Sequence, residues 1–285
     1  MKGIRALLCM MIGLVIGSIV GITVVNISHK KEKRNVTTEV SAAPTTEMAL
    51  ATETDPATQT DIAPATVMDT DTEEKILEVS DAEQPQALTD ILKESLVGYD
   101  ALAKVGCRQL ITVKANQNEA DIAMYTCNDQ GKWTDAGLTT TGYVGQNGVS
   151  RESYEGSRMT PAGAFPIGEA FYIEEKPETG LSMFQITENT YWVDDSESEL
   201  YNQRVELSGE KTWQSAEHMI EYTSAYKYGF VVNFNMNPVE PGRGSAIFFH
   251  VGNQPTLGCI AAPEEMVLAY LAKLDETLHP YIVIQ

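Results

Sequence analysis

His250 and Cys259, nine positions apart, are the two side chains of this 285-residue sequence best suited to covalent chemistry. A cysteine attacks as its thiolate, and a free thiol is only slightly ionised near neutral pH, so a nucleophilic cysteine needs a neighbouring base. The apolar run at residues 246–249 predicts a buried strand that ends on His250. Gly252, Asn253, Gln254 and Pro255 then predict a turn. Gly258 and Cys259 open a second apolar run, and Pro263 starts a helix. The turn therefore brings a histidine and a cysteine, each at the mouth of a buried element, within reach of one another. Gly258 suits a tight backbone there and lets a substrate approach the thiol. Spacing alone leaves a second interpretation open, in which Cys259 is a buried structural thiol and His250 a capping residue.

The elements that must hold this pair are mostly strands. Residues 108–114 and 121–127 read as a hairpin, and residues 133–141, 228–235 and 281–284 as further strands. In the expected hairpin register Cys107 lies opposite Cys127, which admits either a cross-strand disulfide or two free thiols. A helix is expected over residues 263–279, with Pro at its start, Glu264 and Glu265 in its first turn, and Met266, Tyr270 and Leu274 facing the sheet. The glycine-rich stretch 142–168 lacks the Lys-Ser/Thr of a phosphate loop. Arg151 and Arg158 within it can face peptide carboxylates or solvent. Asn233 and Asn235 share a strand face, so one of them can orient a substrate amide or serve an edge hydrogen bond. Trp192, Tyr191 and Trp213 are suited to stacking on a ligand or anchoring a core.

Three blocks in order carry a family resemblance. Thr256-Leu257-Gly258-Cys259 after His250 resembles the His then Ser/Thr-x-Gly-Cys signature of the L,D-transpeptidase (YkuD-type) catalytic domain. Gly142 to Gly148 with Met159-Thr160-Pro161-Ala162-Gly163-Ala164-Phe165 resembles that family's TPxGxF segment, and residues 191–195 a stretch that follows it in one branch. The similarity spans roughly residues 108–284. The short His-to-Cys gap, Leu257 and Ala261 depart from the best-known members and mark a divergent branch. The resemblance implies a β-sandwich or barrel catalytic domain with a C-terminal helix. It implies Cys259 as nucleophile, His250 as general base and acid, and Gly258 at the turn that supplies oxyanion donors. Asn235, Arg243, Thr256 and Arg158 are the expected substrate contacts. The implied partners are peptidoglycan stem peptides, with carbapenem-type β-lactams as covalent inhibitors of the same thiol. Water in place of an amine as acceptor would make the enzyme an L,D-carboxypeptidase, and a silent site would leave a cell-wall-binding module.

Composition sets the frame around this domain. No Phe, Trp or Tyr occurs before Tyr99, so a packed core is expected only in residues 98–285. Residues 6–29 carry no Asp, Glu, Lys or Arg and are long enough to span a bilayer. Lys2 and Arg5 precede the run; Lys30, Lys31, Lys33 and Arg34 follow it, and no small-x-small cleavage site closes it. Residues 1–34 therefore read as a short tail and transmembrane signal anchor. Residues 35–97 read as a disordered acidic tether, with 13 acidic residues and one lysine between Asn35 and Asp90. Such a coil reaches roughly 40 Å, and the resemblance implies that the catalytic domain lies on the cell-wall side of the membrane. The net charge of −20 argues against nucleic acid as a partner. No metal-ligand spacing appears, and no cofactor is expected.

Overall fold

The computed structural model describes residues 84–285. The expected span at residues 6–29, and the tether up to residue 83, lie outside the described residues. Among the described residues no helix is long and apolar enough to cross a membrane.

The folded unit begins before residue 98. Helix α1 (Gln86–Ser95) buries Leu88 and Leu92, one turn apart on one face, against strands β1 and β14 described below. Each leucine so buried contributes about 2 kcal/mol, enough to draw this end of the acidic stretch into the domain. The Thr89 hydroxyl meets the Tyr99 hydroxyl at 2.9 Å, and Arg151 donates to the Ser95 carbonyl at 2.8 Å. Arg151 thus braces α1. A second short helix, α2 (Tyr99–Lys104), leads into the sheet.

The chain then runs through β1 (Gln109–Asn116), β2 (Glu119–Cys127) and β3 (Trp133–Tyr143). Next come β4 (Val149–Ser150), β5 (Thr160–Pro161), β6 (Gly163–Tyr172) and β7 (Met183–Gln185). A small antiparallel sheet follows from β8 (Thr190–Val193), β9 (Arg204–Glu206) and β10 (Ala216–His218). The last strands are β11 (Tyr228–Val232), β12 (Phe248–Val251), β13 (Ile260–Ala262) and β14 (Tyr281–Ile284), with helix α3 (Glu264–Lys273) before β14. The main sheet has the order β11-β12-β13-β3-β2-β1-β14-β6-β7, and β11 also pairs with β6. That extra pairing closes eight strands into a mixed barrel. The β1–β14 and β12–β13 ladders are parallel, and the remaining barrel ladders are antiparallel.

Helix α3 is shorter than the expected 263–279, because Leu274 leaves helical geometry and a 3-10 turn takes Glu276–Leu278. Its packing face is Val267, Tyr270, Leu271 and the following Leu274, all buried, with Met266 only partly so. The hairpin register differs from expectation by one residue. The Cys127 N–H donates to the Arg108 carbonyl, so Arg108 rather than Cys107 faces Cys127, and both thiols are free. Burial pushes the Cys107 thiol up to about 12.

Strand β12 divides its side chains between two environments, as alternation requires. Phe249 points into the barrel core, stacked on Phe230 and edge-on to Tyr270 of α3. Phe248 points the other way, into an aromatic cluster with Phe171, Trp192 and Tyr226. Tyr191, Trp192 and Trp213 are all buried, so these aromatics anchor cores. His218 ends strand β10, stacked on Tyr191 and paired with Glu221.

Candidate active site

The β12–β13 ladder explains why a histidine and a cysteine nine residues apart line the same cavity. The two strands are parallel, with Phe249 beside Ile260 and His250 beside Ala261. Cys259 lies two positions before Ala261, so its side chain leaves the same sheet face as His250, one pleat away. Both residues are 8 % exposed and both line one cavity of about 680 Å³.

Four hydrogen bonds through two threonine hydroxyls fix the cysteine turn. Thr256 Oγ1 donates to the Cys259 carbonyl at 2.7 Å and accepts the Gly258 N–H at 3.1 Å. Thr160 Oγ1 donates to the same carbonyl at 3.2 Å and accepts the Gly145 N–H at 2.8 Å. The Thr-Pro segment and the glycine loop thereby lock onto the back of the cysteine turn. Gly258 has φ +150°, a backbone conformation that side-chain-bearing residues rarely adopt, while a Cβ there would meet Ile247 Cδ1 and the Met159 carbonyl only at contact distance, 3.4 Å. The backbone angle is what favours glycine. Ala261 is 1 % exposed, is paired on both sides, to His250 and to Tyr143, and lines the same cavity. Leu257 is instead 70 % exposed, on the cavity rim.

The histidine is oriented by its own strand. Its Nδ1 lies 2.8 Å from the Val251 carbonyl. A carbonyl only accepts, so Nδ1 carries the proton and Nε2 is the basic nitrogen. Burial pulls the His250 pKa below the usual imidazole value, which keeps the ring neutral and able to accept a proton. Tyr226 packs edge-on against it, with ring centres 5.5 Å apart.

The sulfur rests on the main chain. Cys259 Sγ donates to the Ala246 carbonyl at 3.3 Å and receives the Phe248 N–H at 3.4 Å. Burial, then the negative charge of Glu217, raise the thiol pKa above its ordinary value; the Phe248 N–H and the Tyr226 hydroxyl work in the opposite direction. The resting state is therefore a thiol, and proton removal must accompany attack.

Of the expected substrate contacts, Thr256 lines the cavity and holds the turn. Arg158, Arg243 and Asn235 do not line it. Arg158 reaches Gln146 Oε1 at 3.3 Å, and Gln146 is the residue on the cavity wall. Arg243 donates to the carbonyls of Arg151 and Ser153, tying two loops. Asn235 sits past the end of β11 with φ 52°, and its amide bonds Glu240 N–H and the Glu240 and Gly244 carbonyls. That pattern consumes its side chain in shaping the loop that leads to β12. The Gly258 N–H is held by Thr256 Oγ1, so it must leave that partner before it can serve an oxyanion. Glu217 and Tyr226, by contrast, line the cavity although no sequence motif marks them; the sheet β10-β8-β9 and the turn before β11 bring them in.

The family's sequence model, described as the YkuD L,D-transpeptidase catalytic domain, matches residues 111–283. The chain belongs to that family. An L,D-transpeptidase domain is a cell-wall enzyme domain that acts on peptidoglycan stem peptides. The match covers the barrel from β1 to β14 and includes both His250 and Cys259. No curated protein and no solved structure matches the chain.

Proposed function

We propose that this protein is a membrane-anchored peptidoglycan L,D-transpeptidase that works through a thioester on Cys259. The observation that carries this reading is the shared cavity of His250 and Cys259 on one pleated face, inside the family-matched span. Anchoring rests on the apolar run at residues 6–29, which would hold the domain on the wall side of the membrane.

In the proposed acylation step His250 Nε2 takes the Sγ proton as sulfur attacks the carbonyl carbon of the third stem residue. The C–S bond forms, the bond to the terminal D-residue breaks, and His250 returns the proton to the departing amine. Main-chain N–H groups around Gly258 and Cys259 would hold the oxyanion. The side-chain amine of a diamino acid on a second stem then attacks the thioester and releases the cross-linked dimer. A carbapenem-type β-lactam would acylate the same sulfur, with its strained amide in place of the stem carbonyl.

The test is incubation of the full-length chain with purified disaccharide-tetrapeptide, followed by mass spectrometry of the products. The expected product is a dimer that has lost one terminal D-residue. Tripeptide monomer alone would assign water as the acceptor and make the enzyme an L,D-carboxypeptidase. Unchanged substrate, with the protein binding insoluble peptidoglycan, would favour a wall-binding module.

A further inference from the structure

Glu217 is one of three carboxylates lining the cavity that the acylation step leaves unused. It sits mid-strand in β10, lines the same cavity as Cys259 and His250, and accepts a short hydrogen bond from the Tyr226 hydroxyl. The Tyr226 hydroxyl also lies close enough to Cys259 to lower its thiol pKa, and its ring packs edge-on to His250. Carboxylate, phenol and sulfur therefore form a row, with the imidazole beside it. A structural carboxylate has a poor reason to stand here, because its negative charge opposes the thiolate that acylation must form.

We infer that Glu217 is the base that deprotonates the acceptor ammonium in the second half of the reaction, with Tyr226 as the residue that positions it. The inference rests on the thioester reading above and assigns the acceptor side of that same site.

The cavity charge fits a cationic acceptor. Its charged lining residues are Glu217, Glu264 and Glu265, with no lysine or arginine among them. Lys227 pairs with Glu264 at 2.5 Å, so Glu217 and Glu265 are the carboxylates left to meet an ammonium. The chemistry also fits the acyl-enzyme. Its thioester sulfur is neutral, as the resting thiol is, so it sets no negative charge against an ionised Glu217. The carboxylate then binds the incoming ammonium and takes one of its protons. The freed nitrogen lone pair adds to the thioester carbon. As the C–N bond forms and the C–S bond breaks, the second nitrogen proton passes to the departing sulfur. Glu217 then gives its proton to solvent.

The groups facing Glu217 from neighbouring elements are Tyr226, Tyr222, Asp194, Glu155 and Cys259, all acidic or neutral. Asp194 Oδ1 is itself buried without a hydrogen-bond partner. Burial first, and the Asp194 and Glu155 charges after it, push the Glu217 carboxyl up to about 7, against the pull of the Tyr226 hydroxyl. A base in that range is matched to neutral conditions.

The test uses full-length protein and Glu217→Gln, which keeps the shape and an acceptor for the Tyr226 hydroxyl. Both are given disaccharide-tetrapeptide across pH 6 to 9, and the ratio of cross-linked dimer to tripeptide is measured. That ratio is internal to each acyl-enzyme, so a change in acylation rate cancels. At pH 7.5 the variant's ratio should fall about 100-fold. The unaltered protein should level off once Glu217 has ionised above about 7. The variant's ratio should instead climb about tenfold per pH unit, following the free amine. Equal ratios with parallel profiles would overturn the assignment and leave the thioester reading intact. Absence of any acyl-enzyme in the unaltered protein would overturn both.

Discussion

Cys259→Ala should reduce turnover of disaccharide-tetrapeptide by at least about 10,000-fold, since removal of a covalent nucleophile leaves only binding and electrostatics to act on the substrate. Folding should survive. The substitution removes one small buried atom and its hydrogen bond to the Ala246 carbonyl, and it also removes the sulfur that lies near Glu217. The melting temperature should fall by no more than about 4 °C. Activity and thermal unfolding measured on the same preparation check both halves. Retained turnover would remove Cys259 from the chemistry, and loss of the folded state would make the activity result meaningless.

The second large effect is expected at a residue that never touches the cavity. Asn202 is 2 % exposed, with φ 57°. Its Oδ1 accepts the Trp192 indole N–H at 3.0 Å and the Ala246 N–H at 3.1 Å. Its Nδ2 donates to the carbonyls of Phe234 and Asn235 at 3.0 and 2.8 Å. One side chain thus joins the end of β8 to both ends of the loop between β11 and β12. Ala246 is the residue whose carbonyl holds the Cys259 sulfur, and its own φ of 53° is costly for a residue with a Cβ. Asn202→Ala strands two buried donors and two acceptors, each costing about 1–3 kcal/mol if left unmade. Local relaxation recovers part of this, so the expected destabilisation is about 4 kcal/mol by denaturant unfolding. A change below about 1 kcal/mol would show that water or neighbouring groups satisfy the same atoms.

Much of the barrel was readable from residue order because its strands alternate or run apolar over short, punctuated segments. The strand that carries His250, the turn after it and the strand after Cys259 were legible for that reason, although β12 runs one residue further, to Val251. The parallel pairing of β12 and β13 was not, since the loop between them is shorter than most parallel crossovers and nothing local specifies which strands are neighbours. The histidine's partner followed the same limit: the Val251 carbonyl is a main-chain group, invisible in side-chain patterns. Asn235 and Arg243 were misleading for a related reason. A polar side chain beside a glycine-rich turn serves substrate or backbone equally well in sequence, and here their hydrogen bonds go to backbone. Glu217 and Tyr226 left no signal because a separate small sheet delivers the carboxylate to the cavity. The start of the fold was set too late because an acidic composition masked Leu88 and Leu92, whose four-residue spacing was the available clue.

The most direct measurement is the site of acylation. Full-length protein is mixed with disaccharide-tetrapeptide, quenched in acid, and read by intact mass and then by peptide mapping. The account predicts a transient adduct equal to the disaccharide-tripeptide acyl group, carried on the peptide that contains Cys259 and released by hydroxylamine as a thioester is. An adduct on Cys107 or Cys127, or turnover with no adduct on Cys259, would contradict it.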